Sequence, residues 1–158
     1  MSGQLGYITP IERRSFNIQL MKTGDTSTLR LTTFLGQTVM KIKITPERSV
    51  LNAYNGEHYE ADNPNVLIKQ LTGLDIPLKE LENWLLGLPN RTDHYVLNKN
   101  HMLSNVNSNM AKSPWSVTYR IYQNIHYQNG IIPLPYKLSL THSTTKLNLI
   151  ISKWKIEP

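Results

Sequence analysis

Cysteine is absent from the 158 residues, which excludes disulfides and thiolate metal sites within the chain and leaves its compartment open. Long apolar runs are missing too. The longest are of the order of Leu149-Ile150-Ile151, far short of what a membrane-spanning helix requires. The opening Met1-Ser2-Gly3-Gln4-Leu5-Gly6 has neither the charged start nor the apolar core of a signal peptide. A soluble chain is therefore expected, and one that enters a strand almost at once, as a fragment would. Acid is scarce relative to base: 17 Lys and Arg face 11 Asp and Glu, giving a net charge of +6. That balance favours an anionic partner, whether nucleic acid, an acidic protein or an anionic lipid surface. Arg13-Arg14 is the only adjacent basic pair, so a nucleic-acid patch is not indicated. The chain also has no nucleophile elbow, phosphate loop or dinucleotide fingerprint, and no internal repeat, low-complexity tract or linker.

What is present is ordinary globular material. Hydrophobic residues make up 39% and charged residues 18%, and the length suits a single domain, 1–158, able to bury roughly two-thirds of its unfolded surface. Phe16-Asn17-Ile18-Gln19-Leu20 alternates with one apolar face, as do Thr28 to Leu31 and Val39 to Ile44. Turns fall at Thr23-Gly24-Asp25 and Thr45-Pro46-Glu47, and Asn55-Gly56 joins Val50–Tyr54 to Glu57–Glu60 as a hairpin. One connection is unusual. In Thr32-Thr33-Phe34-Leu35-Gly36-Gln37-Thr38 two large apolar residues sit where surface turns are normally polar. They could fold back as a local plug or project as a contact.

The period then changes. Asp62-Asn63-Pro64 reads as a helix start and Gly73 as its C-cap, with Val66, Leu67, Gln70 and Leu71 at helical spacing between them. Asp75-Ile76-Pro77 opens a second helix with the stripe Leu78, Leu81, Leu85, beside Trp84 and Leu88, stopped by Gly87 and Pro89. Strands resume at 94–98, 101–106 and Trp115–Ile121. Pro133 and Pro135 bound a loop before Tyr136–Leu140, and Lys146–Ile156 closes the chain, its apolar phase shifting as a bulge near Ser152 would make it. The economical architecture is one curved antiparallel sheet with a short helical cover. Its interior is either a packed core or a cavity for an apolar ligand. The five histidines are scattered, His126 in a polar loop, and point to no metal site. Glu57, Glu60 and Asp62 near His58 could form an acid–base set, though hairpin and capping duties explain them with less assumption.

The segment LTGLDIPLKELENWLLGLPN, Leu71 to Asn90, strongly resembles the LolB family of outer-membrane lipoprotein receptors of Gram-negative bacteria. GQLGYIT at 3–9, LTTFLGQTVMKI at 31–42, YEAD at 59–62, WSVTYRIY at 115–122, LPYKLSL at 134–140 and KLNLIISKW at 146–154 resemble its other segments in order. The resemblance implies an unclosed antiparallel β-barrel with an α-helical lid over a hydrophobic cavity. It implies a protein that takes lipoproteins from the periplasmic carrier LolA by their acyl chains and inserts them into outer-membrane phospholipid, with no catalysis, cofactor, metal or nucleic acid. Location is then the periplasmic face of the outer membrane, and a monomer is expected. The family's N-terminal acylated cysteine is missing here, which a truncated form explains; were this the natural start, a soluble periplasmic lipoprotein or lipid carrier of LolA type would be the better reading. The family's membrane-insertion leucine maps to Leu35, with Phe34 and Gly36 beside it. Alternation places Ile18, Leu20 (where the family often has Trp), Leu31, Met40, Ile42, Val117, Tyr119, Ile121, Leu138 and Leu149 on the cavity wall. Leu67, Leu71, Leu81, Trp84 and Leu85 then face it from the lid.

Overall fold

A computed structural model describes residues 1–53, 55–109 and 114–157. Tyr54, expected to end a strand, lies outside the described residues. Eleven strands form one antiparallel sheet: β1 (Ser2–Ile8), β2 (Arg13–Thr23), β3 (Thr26–Thr32), β4 (Thr38–Ile44), β5 (Ser49–Ala53), β6 (His58–Ala61), β7 (His94–Leu97), β8 (Leu103–Asn107), β9 (Ser116–Tyr127), β10 (Gly130–His142) and β11 (Thr145–Lys153). Their order is β6-β5-β4-β3-β2-β1-β11-β10-β9-β8-β7, so the chain's first and last strands meet in the middle and the sheet stays open between β6 and β7. Helices α1 (Pro64–Thr72) and α2 (Leu78–Leu85) connect those two edges. No helix among the described residues is long and apolar enough to cross a membrane.

The alternation that defines the strands also assigns their faces. Phe16 and Ile18 on β2, Leu29 and Leu31 on β3, and Met40 and Ile42 on β4 are buried, while Arg30, Lys41 and Lys43 point outward. The α1 cap is as its residues dictate: the Asn63 side chain accepts from the Asn65 N–H, Pro64 occupies the first turn, and Gly73 ends the helix. A bulge falls at Ser152, because Ser2 pairs with Lys153 and Gly3 with Ile151. Gly3 is required there: a Cβ would lie 2.4 Å from the Ile150 carbonyl oxygen, so any side chain would push β1 off β11.

Three expectations need correction. Pro133 and Pro135 do not bound a loop. Both lie inside β10, paired with Asn124 and Tyr122 of β9. They are tolerated because β11 reaches only Lys137–His142, leaving this stretch of β10 as an edge that needs no outward N–H donor. His126, likewise, is in β9 rather than a polar loop. Ile121 is not on the inner wall but 47% exposed. Arg120 is an extra residue between Tyr119↔Leu138 and Ile121↔Lys137, and that bulge turns Ile121 out and Tyr122 in.

Candidate functional site

The β3–β4 connection is a built turn. The Thr33 N–H donates to the Gln37 carbonyl at 2.8 Å, and the Gly36 N–H to the Thr33 carbonyl at 2.9 Å. The Thr33 hydroxyl accepts from the Gln37 N–H at 3.2 Å, while the Asn17 amide tethers the Thr33 carbonyl to β2 at 3.4 Å. Gly36 takes φ +89°, a left-handed value that its missing side chain permits. With the backbone committed this way, the side chains have no core to join: Phe34 is 84% exposed and Leu35 77%. They do not fold back as a plug.

On the other side of the sheet, most residues expected to line a cavity converge. Ile18, Leu31, Met40, Ile42, Val117, Tyr119, Leu138 and Leu149 are buried together with Leu67, Leu81, Trp84 and Leu85 of the lid, and Leu20 is half-buried against them. Leu71 is the exception on the lid. It shares the face of Leu67 and Ile68, four and three residues on, but sits in the last turn of α1, where it is exposed. The wall also includes Leu5 and Tyr7 of β1 and Leu51 of β5. Their alternation in GQLGYI and SVLNA was available as a signal for them.

Under α2 the interior is closed. The hollow where α2 meets β2–β4, lined by Leu20, Leu29, Ile44, Leu78, Leu81 and Leu85 among others, measures about 10 Å³, room for about one water. Polar ties hold α2 down around it. Glu82 accepts from the Ser27 hydroxyl at 2.7 Å and pairs with Lys22 at 2.9 Å. The Trp84 indole N–H donates to Asp93 at 2.8 Å, and the Tyr119 hydroxyl donates to the Trp84 carbonyl at 2.6 Å. Asn65 of α1 donates to Glu80 of α2 at 2.8 Å. Sequence reasoning missed the Ser27–Glu82 pair, since nothing in two separated segments announces that a strand hydroxyl will meet a helix carboxylate.

Burial pushes the Tyr122 phenol up to about 12 and raises Tyr119 further still. The linkage then runs against folding in alkali. Above about pH 10 an unfolded tyrosine has lost its proton while folded Tyr122 keeps it to about 12, so stability is full below pH 10 and falls as pH rises. Urea midpoints measured from pH 8 upward are expected to drop beyond about pH 10 together with the burst of tyrosinate absorbance, and Tyr122→Phe to flatten that drop.

The acidic group near His58 does not converge into a polar pocket. His58 bonds Asn52 and Glu60 on the exposed outer side of β5 and β6, Glu60 also pairs with Arg48, and Glu57 accepts from Tyr59. These contacts tie down an edge strand.

A profile of the family described as "Outer membrane lipoprotein LolB" matches residues 1–154. The chain is 40% identical over 158 residues to the protein named "Outer-membrane lipoprotein LolB" from Vibrio cholerae, covering 100% of this chain and 77% of that one. It is 38% identical over 155 residues to the protein of the same name from Vibrio vulnificus, covering 98% and 77%. With that from Tolumonas auensis it shares 31% over 156 residues, covering 99% and 76%.

Proposed function

The chain belongs to the LolB family of outer-membrane lipoproteins, and from that premise we propose that it receives lipoproteins from a LolA-type periplasmic carrier and inserts them into the outer membrane. Their acyl chains are held between the curved sheet and the lid. The observation that carries this reading is the Phe34-Leu35 tip, two apolar side chains held in water by a hydrogen-bonded turn. A carrier that only shields acyl chains has no use for such a tip, whereas a protein that must deliver them to a bilayer does.

The driving force is transfer of apolar surface. Each methylene moved out of water contributes about 0.8 kcal/mol, so acyl chains pass from a weaker apolar site to a stronger one and finally into lipid. No bond is made or broken. Because the interior under α2 is closed at rest, a chain enters only when α2 lifts from β2–β4, exposing Leu81 and Leu85 on one side and Leu29 and Ile44 on the other. The binding-competent state is then a minor one, and its population scales the observed affinity.

The Glu82 contacts set that population. Glu82→Ala removes a charge-assisted bond of about 1.5–3 kcal/mol, so an open lid becomes about ten- to a hundredfold more populated. Uptake of a fluorescent fatty-acyl probe, followed by stopped flow, is expected to quicken by that factor while Lys79→Ala, on the outer side of α2, leaves it unchanged. Equal rates for Glu82→Ala and the parent would place entry elsewhere. The whole function is tested by a two-stage transfer: labelled lipoprotein from purified LolA to this chain, then from this chain to liposomes. Failure of both stages would overturn the proposal.

A further inference from the structure

Phe34 and Leu35 are not the only large apolar residues held in water at that end of the sheet. Ile11, in the β1–β2 connection, is 93% exposed, and this connection leaves the same end two strand spacings, about 10 Å, to the side, β2 running four residues beyond the Thr32 rung to reach it. Its conformation is fixed. The Thr9 N–H donates to the Glu12 carbonyl at 3.0 Å, and the Glu12 N–H returns to the Thr9 hydroxyl at 3.2 Å. That closed turn leaves Pro10 and Ile11 at its apex.

The charge around it has one dominant sign. Arg13 and Lys146 both pair with Ile8, so a single rung of the outer face carries a cation on each side of it. Arg14 follows on the opposite face, its guanidinium stacked over Phe16 at 4.9 Å. Among the described residues Arg13 and Lys146 enter no ion pair. Glu12 offsets one charge of the three. Further back, Arg30 faces Lys41 directly across β3 and β4, an arrangement that destabilises a sheet unless something anionic lies over it. Glu60, at the far edge, is the only acidic residue in the eleven strands. An apolar apex with a cationic collar matches the water–lipid boundary of an anionic bilayer, where the apex enters the acyl region and the collar meets phosphate.

We propose that the β1–β2 turn is a second bilayer contact, Ile11 entering the membrane beside Phe34-Leu35 while Arg13 and Lys146 bind anionic phospholipid headgroups. This rests on the delivery reading above, since it assumes that this end of the sheet faces lipid. It does not depend on Leu35 itself, so the two can fail separately.

The test is flotation of the 158-residue chain with vesicles of phosphatidylcholine alone and of phosphatidylcholine mixed with phosphatidylglycerol. Ile11→Glu is expected to weaken partition into both vesicle types about tenfold or more, the cost of withholding one buried aliphatic side chain. Arg13→Gln with Lys146→Gln is expected to weaken partition into the anionic vesicles alone, by about fivefold per charge, and to reduce its salt dependence. Circular dichroism of each variant should match the parent, because Ile11 and Arg13 are exposed and Lys146 is replaced by a polar residue of similar length. Parent-like binding by Ile11→Glu overturns the contact, and equal losses of the double variant on both vesicle types overturn the headgroup assignment. Parent-like binding by Leu35→Glu alongside a weakened Ile11→Glu would sink the Leu35 role and keep this one. Loss of capture by an acidic carrier protein with vesicle binding intact would make the turn a protein-docking site and overturn the proposal.

Discussion

Leu35→Glu is expected to keep its fold and accept acylated cargo as the parent does, yet to lose at least nine-tenths of its delivery into liposomes, about tenfold in rate. The two halves of that result come from the two faces of one hairpin. Leu35 contributes nothing to the buried wall, whose β3 and β4 members are Leu29, Leu31, Met40 and Ile42, and its side chain is free in water. The turn beneath it is made by backbone bonds and the Thr33 hydroxyl, none of which uses the leucine. Stability and acyl binding should therefore be untouched. At the membrane the balance reverses: a carboxylate replaces an apolar anchor, and its desolvation opposes approach to the acyl region. Labelled lipoprotein should accumulate on the variant and stay there. Phe34→Glu should act in the same direction. Parent-like delivery by Leu35→Glu would remove the tip from the mechanism, and failure at the first stage would reassign it to carrier docking.

Trp84→Ala is expected to cost about 3–5 kcal/mol, the range for deleting a large core aromatic. In a chain of this length that lowers the melting temperature by about 6–20 °C. Trp84 is fully buried in the last turn of α2, its indole is hydrogen-bonded to Asp93, and its carbonyl accepts from Tyr119. Truncation leaves a cavity and also strips Asp93 of a donor, although the Asn90 N–H still reaches that carboxylate at 2.8 Å. Trp84→Phe fills most of the volume and should cost distinctly less. Thermal unfolding of the three proteins orders them, and a Trp84→Ala variant within about 1 kcal/mol of the parent would mean that the lid adds little to the core. A second reading comes from the same variant, because a lid without its buried indole should admit acyl probes faster.

Much of this arrangement was legible before any coordinates. Strands with one wet and one dry face advertise themselves by alternation, which is why β2, β3, β4 and the start of β9 could be placed and their inner residues named. The bulge at Ser152 was legible because the apolar residues themselves change phase there, from Ile151 to Trp154. The bulge at Arg120 was not, because Ile121 continues the phase of Val117 and Tyr119 while facing the other way. Pro133 and Pro135 misled for a different reason: whether a proline breaks a strand depends on whether a neighbour needs its N–H, and that is settled only by where β11 stops. The tip residues were visible, but their exposure was not, since a Phe-Leu pair on a turn is equally able to fold back. Closure of the interior was least visible of all. Alternation says which side chains face the lid and is silent on how near the lid comes, a distance decided by Ser27, Lys22 and Glu82 across segments far apart in sequence.

The meeting of β1 with β11 in mid-sheet governs how this chain assembles. Residues 1–61 form one meander and 94–153 another, each built from neighbours in sequence by hairpins that close in microseconds. The join between them is of another kind. It brings Ser2 against Lys153 across nearly the whole chain, and contacts of such sequence separation slow folding because the loop entropy precedes the reward. Until that join forms, β1 and β11 are both unprotected edges, able to pair with the wrong chain. Gly3, which permits the close approach at Ile150, thus stands at the last step of folding, where delay carries the greatest risk of aggregation.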